Sequence, residues 1–419
     1  QGNKQRCGNG QFADLAIFSF HPVKHIATGE GGMITTNNSE LYEKLLMLRT
    51  HGITRDPARM HENHGGWYHE MQTLGYNYRI TDFQCALGSS QLKRADAGLA
   101  KRRAIVLEAA NEPAITSDGH RVEVVANIGN QEDAQAALAK GAEGVGLLRS
   151  EFIFLGRTSA PSEEEQAQIY TSIAQTLAPG QPLVIRTLDV GGDKPLPYLP
   201  IPREENPFLG ERGIRVGLDR PDILRTQVRA ILRAVATGAK IQVMFPMIAT
   251  LHEFRLAKQV FEEERITLGV APVPVGIMVE VPSTAVMAEQ FAAEADFFSV
   301  GSNDLTQYTL AMDRGHPKLA PQVDGLNPAV LALIAMAIKA AHGHGKWVGV
   351  CGGIGSDPQA VPLLVGLGVD ELSVSIPAIP AVKAQIRTLS LAKCQALAAT
   401  ALLQDSAASV RALVAVDEI

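Results

Sequence analysis

The sequence predicts an α/β protein whose larger part is a (β/α)8 TIM barrel, preceded by a shorter piece of a different kind. Three observations carry this. From about residue 112 onward, short β-branched runs alternate with longer helical patterns, and there are eight such units in roughly 300 residues. The runs are apolar almost without interruption, as in strands of a parallel sheet covered on both faces. The composition also changes near residue 107. Residues 1–107 hold 13 Lys+Arg and 9 Asp+Glu, a net +4, and the rest of the chain is net −10. Nine of the 22 aromatics and six of the 11 His also lie in that first stretch. A shift of this size marks a domain boundary, giving 1–107 and 108–419.

Taken in order, the candidate strands are 121–128, 144–149, 182–189, 241–247, 274–282, 297–304, 347–352 and 371–375. Helical patterns fill the gaps. In SEEEQAQIYTSIAQTLA, Ser162 and Glu165 have the spacing of a capping box. RPDILRTQVRAILRAVATG is a second helix, ended by Gly238. An open doubly wound sheet is the alternative architecture for the same alternation.

The barrel reading requires chemistry at the C-terminal strand ends, and the polar residues fall there. Arg149 ends the second candidate strand, and Arg186 with Asp189 the third. Glu280 ends the fifth, Asn303 and Asp304 the sixth, and Cys351 the seventh. Any one of these could simply mark the exit of a strand to solvent; five strand ends sharing such residues favour a site. Two guanidiniums at one mouth suit a small polyanion bearing phosphate or carboxylate. Glu280 and Asp304 together suit a hard cation such as Mg2+. Cation and arginines are the usual parts of phosphoryl transfer. Cys351 has a proton to give or take, although an isolated Cys in an apolar strand is more often inert packing.

GVGLLRSEF (144–152), IRTLDVGGDK (185–194), ENPFLGERGIR (205–215), VEVP (279–282) and GSNDLTQYTLAMDRG (301–315) resemble the phosphoenolpyruvate-binding domain of Enzyme I. That family is the phosphoenolpyruvate–protein phosphotransferases of the sugar phosphotransferase system, with their multiphosphoryl-transfer fusions. Pyruvate phosphate dikinase and phosphoenolpyruvate synthase share the barrel more distantly. The resemblance covers about residues 110–419. It implies that Arg149 and Arg186 hold the phosphate of phosphoenolpyruvate, with Arg314 assisting and Arg215 adding to the same basic cluster. Asn303 would bind the phosphate, Glu280 and Asp304 would ligate Mg2+, and Cys351 would protonate the enolate of pyruvate. Met278, Lys194 and Glu205 lie in matched motifs without an assigned role.

The resemblance also implies a homodimer through the barrel, and a phosphoryl acceptor on a phosphocarrier or histidine-bearing domain. The family's Gly-Gly-x-x-Ser/Thr-His acceptor motif does not occur in these 419 residues. The chain alone is therefore expected to bind phosphoenolpyruvate and Mg2+ without phosphorylating itself. Where the family commonly has Cys-Gly-Glu, this sequence has Cys351-Gly352-Gly353.

In the front piece, two apolar runs flank a polar segment containing Lys24 and a glycine-rich turn. A Lys there is ordinarily a solvated loop residue, but it is also where a Schiff-base lysine can sit. SFHPVKHIATGEGG (19–32) and GYNYRITDFQCALGSSQL (75–92) resemble sugar-nucleotide aminotransferases of the DegT/DnrJ/EryC1 type. The likeness implies an incomplete fragment of a PLP-transferase large domain. Lys24 would be the aldimine lysine, Ser19 a contact to the phosphate of pyridoxal phosphate, and Asn77 a contact made from a partner subunit. The family's Asp for the pyridinium nitrogen lies further upstream than 23 residues, so the fragment is expected to hold the cofactor weakly or not at all. The runner-up function, a pyridoxal-phosphate transaminase, rests on this fragment. A third reading keeps the barrel only as a binding or dimerisation module.

No Gly/Ser or Pro-rich spacer separates the two resemblances, which meet within residues 102–124. This points to an accidental join of two unrelated coding sequences. The first residue is Gln1, so the sequence is expected to be processed or part of something longer. No apolar run reaches the ~18 residues of a spanning helix, and no signal-like segment opens the chain. The four cysteines lack metal or disulfide-framework spacing. A cytoplasmic setting follows as the expectation. The modest positive excess of the front piece, without a basic stripe, gives no reason to invoke nucleic acid.

Overall fold

The computed structural model describes residues 7–21, 26–62, 64–98, 100, 104, 109–192 and 196–414. They form two compact units, Gln1–Ala104 and Ile105–Ile419.

In the first unit, β1 (Ala16–Ser19) pairs antiparallel with β2 (Gly32–Thr35), and β3 (Ile53–Thr54) with β4 (Glu70–Met71). Two helices are well capped. The Asn38 side chain accepts from the Glu40 and Leu41 amides ahead of helix Ser39–Leu48. Thr81 and Gln84 form a reciprocal capping box ahead of helix Asp82–Leu92. Local signals are thus satisfied, yet neither helix has a buried residue. Among the described residues of this unit only Thr28 and Gly52 are buried.

The second unit is the predicted barrel. Its strands are β5 (Glu123–Ile128), β6 (Val145–Arg149), β7 (Leu183–Arg186), β8 (Ile241–Phe245), β9 (Val275–Val279), β10 (Phe297–Val300), β11 (Trp347–Val350) and β12 (Glu371–Val374). Each pairs parallel with the next. β12 returns to β5, with Glu371 opposite Glu123 and Val374 opposite Ala126. That closure removes the free edges of an open sheet and excludes the doubly wound alternative.

Strand alternation sorts the side chains. Leu147, Val184, Met244, Met278, Phe297 and Cys351 meet inside the barrel with Trp347 packed on them. Their strand neighbours, such as Leu148, Ile185, Val300 and Val350, join the layer beneath the helices. Ser162 and Glu165 do cap helix Glu163–Thr176. Helix Pro221–Val235 opens on a proline at its first position and buries Leu224, Val228, Ile231 and Leu232. The chain leaves it through Gly238 at φ 90°, a left-handed turn that favours glycine.

The strands stop sooner than the sequence suggests. β7 ends at Arg186, so Asp189 lies in the loop that follows. β10 ends at Val300, and Asn303 and Asp304 belong to the first turn of helix Ser302–Leu310 rather than to a strand end. Among the described residues no helix is long and apolar enough to cross a membrane.

Candidate active site

The C-terminal mouth of the barrel gathers charged side chains. Arg149 and Arg186 are the last residues of β6 and β7 and stand opposite each other in register. Arg186 is buried. Its guanidinium reaches Glu151 Oε1 at 2.5 Å and Asp189 Oδ2 at 3.1 Å, and donates to the Met278 sulfur at 3.5 Å. Burial works against this charge, but Asp189 and Glu151 outweigh it and hold the guanidinium above its ordinary value.

A third guanidinium shares Asp189. Arg212 is fully buried. Its Nε donates to Asp189 Oδ1 at 3.2 Å, Nη2 to Asp189 Oδ2 at 3.3 Å, and Nη1 to Asp304 Oδ1 at 3.1 Å. Such a two-pronged contact fixes a guanidinium in orientation as well as position. Arg314 Nη2 lies 3.4 Å from the same Asp304 oxygen. Asp189 and Asp304 thus tie Arg186, Arg212 and Arg314 into one network.

Glu280 follows β9 and is completely buried. Its Oε1 accepts from the Met247 amide at 2.5 Å, whereas its Oε2 has no hydrogen-bond partner. Met247 donates from a left-handed backbone at φ 57°, a conformation costly for a non-glycine residue. Burial pushes the Glu280 carboxyl up to about 8. The charges of Asp304 and Asp189 add to the shift and Arg186 opposes it.

A buried carboxylate oxygen without a donor, beside a second carboxylate, fits a hard divalent cation. Among the described residues no group of three or more His, Cys, Asp or Glu could hold a metal.

Cys351 follows β11 and is buried, with its thiol directed at the Val300 carbonyl at 3.4 Å. Burial pushes the thiol up to about 11. Ser299 and Arg186 draw it down, Glu280 raises it, and Arg149 lowers it. Asn303 Oδ1 accepts from the Gly353 amide at 2.9 Å and so fastens the loop after Cys351 to helix Ser302–Leu310.

The structure thus brings Arg186, Arg314, Glu280 and Asp304 into one charged network, with Arg149 and Cys351 facing it electrostatically and Asn303 holding its rim. Arg215 is a correction. Its guanidinium is taken up by Glu253 at 3.3 Å and by the carbonyls of Leu209 and Gly210 at 3.2 and 3.1 Å. The basic residue that this motif sends inward is Arg212, which the sequence reading passed over. Gly213 is the signal. Its φ of 60° turns the chain, and a Cβ there would lie 2.8 Å from the Met247 side chain. Lys194 lies outside the described residues.

In the first unit, Ser19 and Asn77 are exposed, and Lys24 lies outside the described residues. Among the described residues of this unit the buried ones are Thr28 and Gly52, so neither Ser19 nor Asn77 is enclosed there.

Residues 103–391 match the family described as PEP-utilising enzyme, PEP-binding domain, and residues 3–112 match the DegT/DnrJ/EryC1/StrS aminotransferase family. The multiphosphoryl transfer protein of Rhodobacter capsulatus is 52% identical over 324 residues, 77% of this chain and 39% of its own length. The phosphoenolpyruvate-protein phosphotransferase of Bacillus subtilis is 49% identical over 286 residues, 67% of this chain and 50% of its own. The chain therefore spans half or less of these relatives. Helicobacter pylori PseC, an aminotransferase of pseudoaminic acid biosynthesis, is 35% identical over 26% of this chain and 28% of its own, with a TM-score of 0.22. Through the barrel that carries this charged mouth, the chain belongs to the family of PEP-utilising enzymes.

Proposed function

We propose that the barrel binds phosphoenolpyruvate together with Mg2+ at its C-terminal mouth. It would carry the substrate half of a phosphoenolpyruvate–protein phosphotransferase reaction, whose phosphoryl group passes to a histidine on a phosphocarrier or histidine-bearing domain. The observation that supports this most directly is the buried, donorless Oε2 of Glu280 beside a network of three guanidiniums. By resemblance, the working unit is a homodimer.

Phosphoenolpyruvate brings a phosphate and a carboxylate, the two groups that guanidiniums bind in parallel pairs. Arg186 and Arg212 are held rigid by Glu151, Asp189 and Asp304, so little ordering remains to be done when the anion arrives. Arg149 and Arg314 are less buried and add charge at the rim. A bound Mg2+ on Glu280 and Asp304 would neutralise charge on the substrate oxygens. Cleavage of the P–O bond leaves an enolate, and its methylene carbon takes the Cys351 proton to give pyruvate. A thiol pushed up to about 11 is in its proton-bearing form at neutral pH, as a general acid must be.

Calorimetric titration of the full chain with phosphoenolpyruvate, with and without Mg2+, tests the reading. Saturable heat that needs the metal and weakens at least about tenfold in Arg186→Lys is expected, since lysine lacks the planar fork. Heat that persists with chelator and in that variant would reject the site. For the front piece we expect no internal-aldimine absorption on adding pyridoxal phosphate; a band abolished by Lys24→Ala would instead favour the transaminase reading.

A further inference from the structure

Inside the barrel, β10 alternates in and out. Phe297 faces the interior, Phe298 and Val300 face the helices, and Ser299 therefore turns inward. On β11 the inward positions are Trp347, Gly349 and Cys351. Ser299 pairs in register with Gly349 on one side and with Met278 on the other. Gly349 has no side chain, so the next inward group on that strand, above the Ser299 hydroxyl, is the Cys351 thiol.

Ser299 is 1% exposed, and its Oγ makes no fully formed hydrogen bond, although it stands close enough to the Cys351 thiol to favour its ionised form. The Met278 sulfur on its other side is already engaged by Arg186. A buried hydroxyl left in this condition costs free energy, so its presence in an otherwise largely apolar layer calls for a use.

The proton step supplies one. While Cys351 keeps its proton, the S–H bond points at the Val300 carbonyl. When the proton moves to the enolate carbon, the S–H bond breaks and a C–H bond forms. The enolate's negative charge then ends on sulfur. The contact with the Val300 oxygen turns repulsive, and the sulfur needs a donor.

We propose that Ser299 is a positioning residue for this step, its hydroxyl rotating to donate to the Cys351 thiolate. The inference rests on the phosphoenolpyruvate reading for its chemistry, but the Ser299–Cys351 pairing stands on the barrel's geometry. The other groups acting on the sulfur are Arg186 from β7, Arg149 from β6 and Glu280 beyond β9. The two arginines favour the thiolate and Glu280 opposes it. Ser299 is the neutral donor beside them, and it works in the same direction as the arginines.

The test reads the thiolate ultraviolet absorbance of the full chain across alkaline pH, as the difference from Cys351→Ser so that the other three cysteines cancel. Removing the hydroxyl in Ser299→Ala is expected to raise the Cys351 midpoint by about one unit, the worth of a hydrogen bond to a charged group. Ser299→Thr keeps the hydroxyl and is expected to titrate as the wild type does. Should the alanine variant not fold, Ser299→Val, matched to threonine in volume, takes its place. Superimposable curves for wild type and alanine, or equal shifts in alanine and threonine, would overturn the proposal. Phosphoenolpyruvate calorimetry on the same variants keeps the two readings apart. Lost heat in the wild type would count against the substrate, and an unmoved midpoint against Ser299.

Discussion

Arg212 and Arg215 are three residues apart in one motif, yet they stand in opposite electrostatic situations. Arg212 is fully buried between Asp189 and Asp304, while Arg215 shares a half-exposed contact with Glu253. Removing a buried partner strands the charges it compensated, at ~3–5 kcal/mol, whereas an exposed pair contributes ~1 kcal/mol or less. Arg212→Ala should therefore lower the urea midpoint markedly and abolish phosphoenolpyruvate binding. Arg215→Ala should change stability by less than about 1 kcal/mol and leave binding near wild type; equal effects on binding would contradict the placement of Arg212. Glu371, at the opposite end of the barrel from the mouth, makes a second case. Its Oε1 has no hydrogen-bond partner and lies 2.5 Å from where a Cβ on Gly146 would be. Burial pushes its carboxyl up to about 8, with Glu123 and Asp370 adding to the effect and Lys240 opposing it. In the unfolded chain this carboxyl titrates near its ordinary value of 4.5. Below that pH both states are protonated and the group contributes nothing. Between there and about 8 the folded state binds the extra proton, so stability falls as pH rises, by up to ~1.4 kcal/mol per unit. Glu371→Gln should remove that slope, which urea melts at pH 5 and pH 8 would show; parallel slopes in both proteins would refute it.

The barrel strands illustrate which features of the elements are written in the sequence. Their existence and N-terminal limits are legible because buried parallel strands are apolar on both faces, as in VGLLR and IQVMF. Their C-terminal limits are not. Leu188 and Val190, beyond the last pairing of β7, are as buried as the strand itself, so the apolar run continues where the ladder has stopped. The same blurring placed Asn303 and Asp304 on a strand, although the helix begins at Ser302. Residue identities at the mouth were mostly recoverable, since charged side chains after apolar runs stand out. The choice between Arg212 and Arg215 was not, because it depends on a backbone angle at Gly213 that a string of letters does not display. That glycine invites its own test. Gly213→Ala would force a left-handed residue into contact with Met247, costing ~1–3 kcal/mol. Because the turn also aims Arg212, phosphoenolpyruvate affinity should fall with stability. An alanine variant that binds normally would separate the turn from the site.

The two units of the chain differ in what holds them together. From Ala110 onward the second buries a continuous apolar layer around a closed sheet, and its interior is filled by residues such as Val184, Met244 and Phe297. The described part of the first has capped helices and paired strands but no buried hydrophobic residue. Phe12, Ile17 and Phe83 are 84, 79 and 80% exposed there. Caps contribute ~1 kcal/mol each, whereas ordering each residue costs ~1–2 kcal/mol of backbone entropy, so local signals cannot substitute for a core. Exposed apolar surface on this scale is where dyes and other chains adhere. Chain lacking residues 1–104 should therefore keep the barrel's thermal midpoint and its phosphoenolpyruvate affinity, while the fluorescence of a hydrophobic dye such as anilinonaphthalene sulfonate and concentration-dependent light scattering fall sharply. If truncation instead lowers the barrel's midpoint by several degrees, the first unit contributes to the stability of the second, and the join is more than a junction of unrelated pieces.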